Sequence, residues 1–174
     1  MSDAFETLLA KQEIRELMYR YCRAFDRIDD DLAKTVFHPD GTCNYANRAD
    51  TADIPFSHYL GPSSATRAKF RNHSHQVTNH LIEIAGDKAT SEAYFTASMQ
   101  SQPKDGTITE HLYRGRYLDR WSRRDGKWGI DHRHVVFDSY TPYDFSVARL
   151  EGIALELTRR DRTDPSYAYV KALS

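Results

Sequence analysis

The clearest pattern of hydrophobic and polar positions lies near the start of the chain. Apolar side chains recur there at the spacing of one helical face: Ile14, Leu17, Met18, Tyr21, Cys22 and Phe25. Polar side chains cover the opposite side: Lys11, Glu13, Arg15, Glu16, Arg20 and Arg23. Ser2 is a suitable N-cap, and the acidic Asp3 and Glu6 suit the positive end of the helix dipole. The pattern predicts a long amphipathic helix that buries one face.

Weaker helical patterns follow in the first half of the chain. A second helix is predicted over residues 31–37, and it should stop at His38-Pro39-Asp40-Gly41 because proline and glycine end helices. A short strand over residues 42–45 follows. A third helix is predicted over residues 62–70, with a proline in its first turn.

After residue 75 the pattern changes to that of strands. Strands are predicted over residues 76–85, 88–100, 107–123 and 128–137. Gly86-Asp87 marks the first turn, and Arg124-Asp125-Gly126-Lys127 carries the Asp-Gly signal of a tight hairpin. Residues 138–174 form a tail in which we expect a helix over 147–157.

Helices followed by long antiparallel strands predict an α+β domain. A curved antiparallel sheet must wrap around the N-terminal helices to bury their apolar stripe, which gives a cone-shaped α+β barrel. Its open mouth is a natural pocket for a small molecule. We expect one domain over residues 1–140, with residues 141–174 as its C-terminal tail.

Composition narrows the classes of protein further. The 174 residues carry 24 Lys and Arg against 25 Asp and Glu, and this balance gives no support for nucleic-acid binding. No apolar run approaches the roughly 20 residues of a membrane span, and residues 1–4 lack a signal-peptide layout. Cys22 and Cys43 are unpatterned, and Cys22 on the apolar helix face indicates a buried thiol rather than a disulfide. We therefore expect a cytoplasmic protein without membrane or nucleic-acid partners.

The chain lacks the motifs of common cofactors. It contains no CxxC, HExxH, GxGxxG or phosphate-loop motif, so metal and nucleotide cofactors have no basis in the sequence. We therefore expect neither a metal nor a cofactor.

Two residues of the first helix are candidates for chemistry. Tyr21 lies on the buried stripe, where most tyrosines are core residues with a satisfied hydroxyl. Asp26 extends the same row near the helix end, where a carboxylate must be paired, capping or solvated. Asp26 could cap the turn over residues 28–31, or it could be functional, and the sequence leaves both open.

Histidines are dense at the entrance to the first long strand. In a regular strand His80 shares a face with Ile82 and Ile84, so simple alternation favours His80 as the histidine that faces the core. His75 lies on the other face and would need a bulge, or a strand entrance at the cavity, to point inward. Either histidine could instead be structural.

The last strand is unusually polar between residues 131 and 134. One of these side chains should point inward, and a buried arginine there would need an anionic partner. A ladder of surface charges is the alternative. On the preceding strand Tyr113, Tyr117 and Trp121 share one face, where they could line an aromatic pocket or only pack the sheet.

Several segments together resemble SnoaL-like proteins of the nuclear transport factor 2-like superfamily. The segments span residues 5–140 and comprise Ile14–Leu17, Tyr21–Asp26, Phe37–Gly41, His75–Ile84, Gly115–Trp121, Asp125–Ile130 and His132–Arg133. The resemblance implies the cystatin-like cone fold of that superfamily. Its lyases include hexachlorocyclohexane dehydrochlorinases and bile-acid 7α-dehydratases, and comparison with them implies an Asp–His dyad at Asp26 and His75. It also implies functional roles for Tyr21 and Arg133.

These observations favour a cofactor-independent lyase of the dehydratase type, acting on a hydrophobic cyclic or aromatic small molecule. His75 would be the base, Asp26 its orienting carboxylate, Tyr21 the donor to the departing oxygen and Arg133 the stabiliser of negative charge. The expected substrate-binding residues are Tyr113, Tyr117, Trp121, His80 and His132.

The superfamily also contains other functions, so the fold alone does not fix this one. The alternatives are an isomerase, a polyketide-cyclase-like enzyme, a small-molecule-binding module and a subunit like the small subunits of aromatic-ring dioxygenases. The aromatic sheet predicts self-association as a homodimer or homotrimer.

Overall fold

The predicted amphipathic helix is confirmed as helix α1, Asp3–Arg27. The computed structural model describes residues 3–45, 52–101, 107–146 and 156–169, so the Ser2 cap lies outside the described residues. The buried side chains of α1 follow the predicted stripe and comprise Ala10, Ile14, Met18, Tyr21, Cys22, Ala24 and Phe25. Leu17 is partly buried at the edge of the same core.

The remaining elements follow in chain order. The helices are α2 (Asp30–Lys34), a 3-10 helix (Phe56–Tyr59), α3 (Pro62–Arg67) and α4 (Ser166–Tyr169). The strands are β1 (Phe37–Asn44), β2 (Ile54–Pro55), β3 (Phe70–Ala85), β4 (Lys88–Ser101), β5 (Thr107–Arg124) and β6 (Lys127–Ser146).

The two short helices end earlier than predicted. Helix α2 starts where the Asp29 side chain accepts the backbone N–H of Leu32 at 3.2 Å, and it is over before Phe37, which pairs with Ile130 of β6. The predicted stop signal at residues 38–41 therefore lies inside β1, beside a break in the β1–β6 register. Helix α3 ends before Phe70 because Phe70 pairs with Ser101 of β4. In both cases strand pairing with a distant segment overrides the local helical signal.

The six strands form one curved, open sheet in the order β2-β1-β6-β5-β4-β3. Strands β3 to β6 are antiparallel neighbours as predicted, and the α+β class is confirmed. Strand β1 runs parallel to β6, so the sheet is mixed. The hairpin at Asp125 and Gly126 has φ values of 50° and 75°, as a turn with two left-handed residues requires.

Helix α1 packs against the concave face of the sheet. Burial alternates along β4, where Ala89, Ser91, Ala93, Phe95 and Ala97 face inward. The inner residues of β5 and β6 complete the core under the helix, with Tyr117, Trp121, Ile130 and Val135. Cys22 and Cys43 are both buried and free. No helix in the described ranges has the length and apolar character that a membrane span requires.

The end of the chain differs from the predicted tail. Strand β6 continues to Ser146 as a partner of β5, so the predicted boundary at residue 140 falls within a strand. The helix predicted over 147–157 lies mostly outside the described residues, and residues 156–157 are not helical. Residues 156–169 lie across the C-terminal end of α1, where Asp164 pairs with Arg27 at 3.2 Å.

Candidate active site

A histidine–aspartate pair joins the end of α1 to strand β3. The Nδ1 atom of His75 lies 2.7 Å from Oδ1 of Asp26, and the backbone N–H of His75 donates to Oδ2 of Asp26 at 3.2 Å. Both side chains are largely buried. A carboxylate can only accept a hydrogen bond, so Nδ1 of His75 is the donor in this contact, and a neutral ring in this tautomer has its lone pair on Nε2.

A β-bulge explains why His75 points inward. The β3–β4 register breaks between Thr78 and Leu81, and Asn79 has a left-handed φ of 48°. His75 pairs with Ala97 before the bulge and Ile82 pairs with Ser91 after it, and both partners face the core. The extra residue therefore shifts the inward positions from odd to even numbers along β3. The alternation argument for His80 holds only for the part of the strand after the bulge.

The dyad borders an apolar cavity of about 470 Å³ between the sheet and the helices. Its walls include Tyr21 and His75, together with aromatic side chains from three strands, Phe95, Tyr113, Tyr117 and Phe137. Asp26 lies behind His75 and reaches the cavity only through the imidazole. The volume is within the usual range for sites that bind small organic molecules.

Two tyrosine hydroxyls meet in the same cavity. The hydroxyl oxygens of Tyr21 and Tyr45 are 2.6 Å apart, and either can be the donor. Burial raises the pKa of both phenols, while the positive charge of Arg133 acts in the opposite direction on Tyr21. Both therefore remain protonated near neutral pH and can donate a hydrogen bond. Tyr45 was missed in the sequence because it follows directly after β1 in a segment that carries no pattern of its own.

Arg133 is completely buried beneath this pair of phenols. Its Nε and Nη2 atoms donate to the two carboxylate oxygens of Asp119, each at 2.7 Å. The guanidinium carbon lies 4.1 Å from the ring centroids of both Tyr21 and Tyr117. The prediction that an inward arginine needs an anionic partner is confirmed. Arg133 does not line the cavity, and its predicted role as stabiliser of negative charge stays a prediction that would act through the Tyr21 ring it contacts.

The structure divides the predicted substrate-binding residues. Tyr113 and Tyr117 line the cavity, whereas Trp121, His80 and His132 do not. Trp121 is a core residue whose Nε1–H donates to the hydroxyl of Ser91 at 2.9 Å. These three residues are therefore removed from the candidate substrate-binding set.

The two excluded histidines have other surroundings. His132 lies 2.9 Å from the hydroxyl of Thr42 and borders a polar concavity on the side of the sheet away from α1. His80 follows the bulge on the inner face, and burial lowers its pKa to about 4. The charges that reach His80 are those of Asp119, Arg15 and Arg133, not that of Asp26. Neither histidine is therefore part of the dyad.

A second histidine, His73, was missed in the sequence analysis. It lines the cavity, and its ring centroid lies 4.3 Å from that of His75. Its Nδ1 atom is buried and has no hydrogen-bond partner among the residues that the structure describes. Burial, with smaller effects of His75, Arg160 and Arg67, holds its pKa well below the usual range, so the imidazole is neutral. The sequence did contain a signal for His73. Residues two apart on a strand share a face, so His73 is expected on the same face as His75.

Asp26, His73 and His75 are also the described residues that could hold a metal ion. Their donor atoms lie within 4.8 Å of one another. The Asp26 carboxylate is already engaged by both N–H groups of His75, and the positive charges of Arg67 and Arg160 act on His73. Both features disfavour a further cation at this position.

The fold and the cavity together define a cone-shaped α+β domain with an apolar cavity between the sheet and the helices. The chain belongs to the family of SnoaL-like domains, whose profile matches residues 6–134. A search of the curated proteins gave no significant match.

Solved structures share the fold at low sequence identity. A candidate scytalone dehydratase from Novosphingobium aromaticivorans is 19% identical, covers 79% of this chain and 89% of its own, and gives a TM-score of 0.68. The hexachlorocyclohexane dehydrochlorinase LinA-type3 from Novosphingobium barchaimii is 15% identical. The match covers 89% of this chain and 99% of that protein, with a TM-score of 0.66. A nuclear transport factor 2-like superfamily protein from Salmonella enterica is 21% identical. The match covers 76% of this chain and 94% of that protein, with a TM-score of 0.65. At these identities the comparison shows the fold.

Proposed function

We propose that the protein is a cofactor-independent lyase of the dehydratase type that acts on a hydrophobic cyclic or aromatic molecule. The observation that carries the proposal is the Asp26–His75 dyad in the wall of an apolar cavity. A base with a free imidazole nitrogen, shielded from bulk water, is suited to removing a proton from carbon.

The first half of the reaction uses the dyad. The Nε2 atom of His75 takes a proton from a carbon next to an activating group, and the electron pair of the C–H bond begins to form the new double bond. The imidazolium that results is stabilised by the Asp26 carboxylate, which also holds the ring in the correct tautomer.

The second half uses the tyrosine pair. Tyr21 transfers its proton to the departing oxygen, the C–O bond breaks, the double bond is completed, and water leaves. Tyr45 can restore the proton of Tyr21 across their 2.6 Å contact, and the proton on His75 then returns to this pair. The net reaction removes one water molecule from the substrate and leaves the protein in its starting protonation state. Arg133 contributes by favouring negative charge on the Tyr21 oxygen.

The walls of the cavity support an apolar ring as the substrate. Phe95 stacks on Tyr117 with 4.3 Å between ring centroids, and Phe137 and Tyr113 extend this aromatic surface. An aromatic wall of this kind binds flat or cyclic apolar molecules through burial and ring contacts. The remaining lining includes polar side chains of α3, namely Ser63, Thr66 and Arg67.

The names of two structural neighbours agree with an elimination. One is described as a candidate scytalone dehydratase and the other as a hexachlorocyclohexane dehydrochlorinase. Both names describe the removal of a small molecule across a carbon–carbon bond. This agreement supports the reaction class and says nothing about the substrate.

The test of the reaction class is product analysis on a panel of hydroxylated cyclic and aromatic compounds. Mass spectrometry of products formed in heavy water separates the alternatives. We expect a product that has lost one water. A product of unchanged skeleton mass that has gained deuterium would replace the lyase by an isomerase on the same dyad. Binding of panel members without any turnover would favour a binding module.

We also propose that the protein is a homodimer or homotrimer. Tyr140 and Tyr143 on the distal part of β6 are each about half exposed, and Tyr94 is exposed on β4. Aromatic side chains of this kind are enriched in protein interfaces. Light scattering at micromolar concentration should give a mass of two or three chains, and a clean monomer would refute the proposal.

A further inference from the structure

Arg160 joins three elements around the dyad by binding their backbone carbonyls. Its guanidinium donates to the carbonyl oxygens of Phe25 and Asp26 at 3.2 Å each and of Phe70 at 3.3 Å. It also donates to the carbonyl of Arg67. These carbonyls belong to the end of α1, the end of α3 and the start of β3.

The position of Arg160 has a clear electrostatic basis. The last carbonyls of a helix have no partners within the helix, and the C-terminal end of the helix dipole is negative. A guanidinium with five N–H groups can satisfy several such carbonyls at once. Burial lowers the pKa of Arg160 to about 10, while the charge of Asp26 acts in the opposite direction. Within the described ranges, no carboxylate lies within ion-pair distance of Arg160, so its role there is to bind the backbone.

The same two elements carry the dyad. Asp26 is in the last turn of α1, and His75 lies five residues after Phe70 on β3. The Asp26–His75 hydrogen bond therefore depends on the distance between the end of α1 and the start of β3. Arg160 binds the backbone of both ends directly.

Other contacts hold the C-terminal segment in place independently of Arg160. Asp164 pairs with Arg27 at 3.2 Å. Asp29, which follows α1, accepts from Arg162 at 3.2 Å and from the Tyr167 hydroxyl at 2.8 Å. Removing the Arg160 side chain should therefore leave the segment docked and release only the link between α1 and β3.

We propose that Arg160, on the C-terminal segment 156–169, is a positioning residue for the Asp26–His75 dyad. Its importance for catalysis rests on the proposed function. Its effect on the geometry of the dyad does not, because that geometry can be measured without a substrate.

The test is the imidazole Nδ1–H resonance of His75 in protein labelled with ¹⁵N-histidine, identified by its loss in His75→Gln. We expect Arg160→Ala to lose this resonance or to exchange its proton with water at least about 10-fold faster than wild type. Arg160→Lys, which keeps the charge and fewer donors, should give an intermediate rate. The matched control is Arg162→Ala in the same segment, which should keep the wild-type resonance and rate.

Several outcomes separate the explanations. If Arg160→Ala is folded by its amide spectrum and keeps the wild-type resonance and exchange rate, the proposal is overturned. If Arg160→Ala does not fold, Arg160→Lys decides by the same measurement, and a wild-type rate in that variant overturns the proposal. If Arg160→Ala loses the resonance and the wild-type protein has no lyase activity, the positioning role is supported and only the proposed reaction is rejected.

Discussion

Asp26 accepts two hydrogen bonds from one residue, His75, from its ring Nδ1 at 2.7 Å and from its backbone N–H at 3.2 Å. The backbone contact fixes the carboxylate relative to strand β3, and the ring contact fixes the tautomer. In the proposed mechanism this aspartate positions the base and also stabilises the cation that the base becomes. Its carboxylate binds His75, whereas the cap of the following helix α2 is Asp29, so the capping alternative left open by the sequence falls to another residue.

Removing the hydroxyl of Tyr21 should slow the reaction while leaving the fold intact. Tyr21→Phe keeps the ring against Arg133 but removes the donor to the departing oxygen, so we expect kcat to fall about 10²-fold. The loss of stability should stay near 1 kcal/mol, the usual net contribution of one hydrogen bond. Tyr19→Phe, an exposed position on the same helix, is the control. Wild-type turnover by Tyr21→Phe would exclude the proposed donor.

Breaking the buried ion pair should be strongly destabilising. Arg133→Met leaves the Asp119 carboxylate buried and unpaired, which costs about 3–5 kcal/mol. Urea unfolding measures this loss. Lys34→Met removes a solvent-exposed ion pair with Asp31 and should leave the unfolding midpoint close to that of wild type. A loss of less than about 1 kcal/mol in Arg133→Met would contradict the account of the core.

Stability should fall as the pH falls, in part because of His80. Burial lowers the pKa of His80 to about 4, below the value of 6.5 for an unperturbed histidine. Between these values the unfolded chain binds a proton that the folded protein does not, so stability decreases from about pH 6.5 down to about pH 4. His80→Leu should therefore lose less stability than wild type over this window in urea titrations at pH 7, 6 and 5. Parallel losses in the two proteins would refute the contribution of His80.

The bulge can be tested at its left-handed residue. Asn79 has φ of 48°, a conformation that β-branched residues adopt only at a cost of about 1–2 kcal/mol. Asn79→Val should therefore be destabilised by about that amount, whereas Asn79→Gly should be close to wild type. Thr78→Val, at the neighbouring exposed position, is the matched control. Equal stability of Asn79→Val and Thr78→Val would show that the bulge is not formed at this residue.

The parts of the fold that follow local rules were predictable from the sequence. The apolar stripe from Ile14 to Phe25 predicted helix α1, and the glycines at 86 and 126 predicted the turns that join the long strands. These signals depend on side chains a few residues apart. The strand over residues 37–41 was not predictable, because it exists through pairing with β6 about 90 residues later.

The candidate site was only partly predictable, for the same reason. Alternation counted back from Ile82 pointed to His80, and only the resemblance to SnoaL-like proteins pointed to His75. The left-handed turn at Asn79 separates the two parts of the strand, and periodicity cannot reveal one extra residue. Tyr45 and Arg160 reach the site from distant parts of the chain, so no local pattern marks them.

The most direct measurement for the central claim is the turnover number of dyad variants on a substrate that the wild type dehydrates. Asp26→Asn and His75→Gln should each lower kcat at least about 10²-fold, because a positioned base contributes about 10²–10⁴-fold. The double variant should be little worse than the worse single variant, since the two residues act as a unit. Asp31→Asn, at an exposed carboxylate, should keep wild-type turnover. Full activity in both dyad variants would contradict the account.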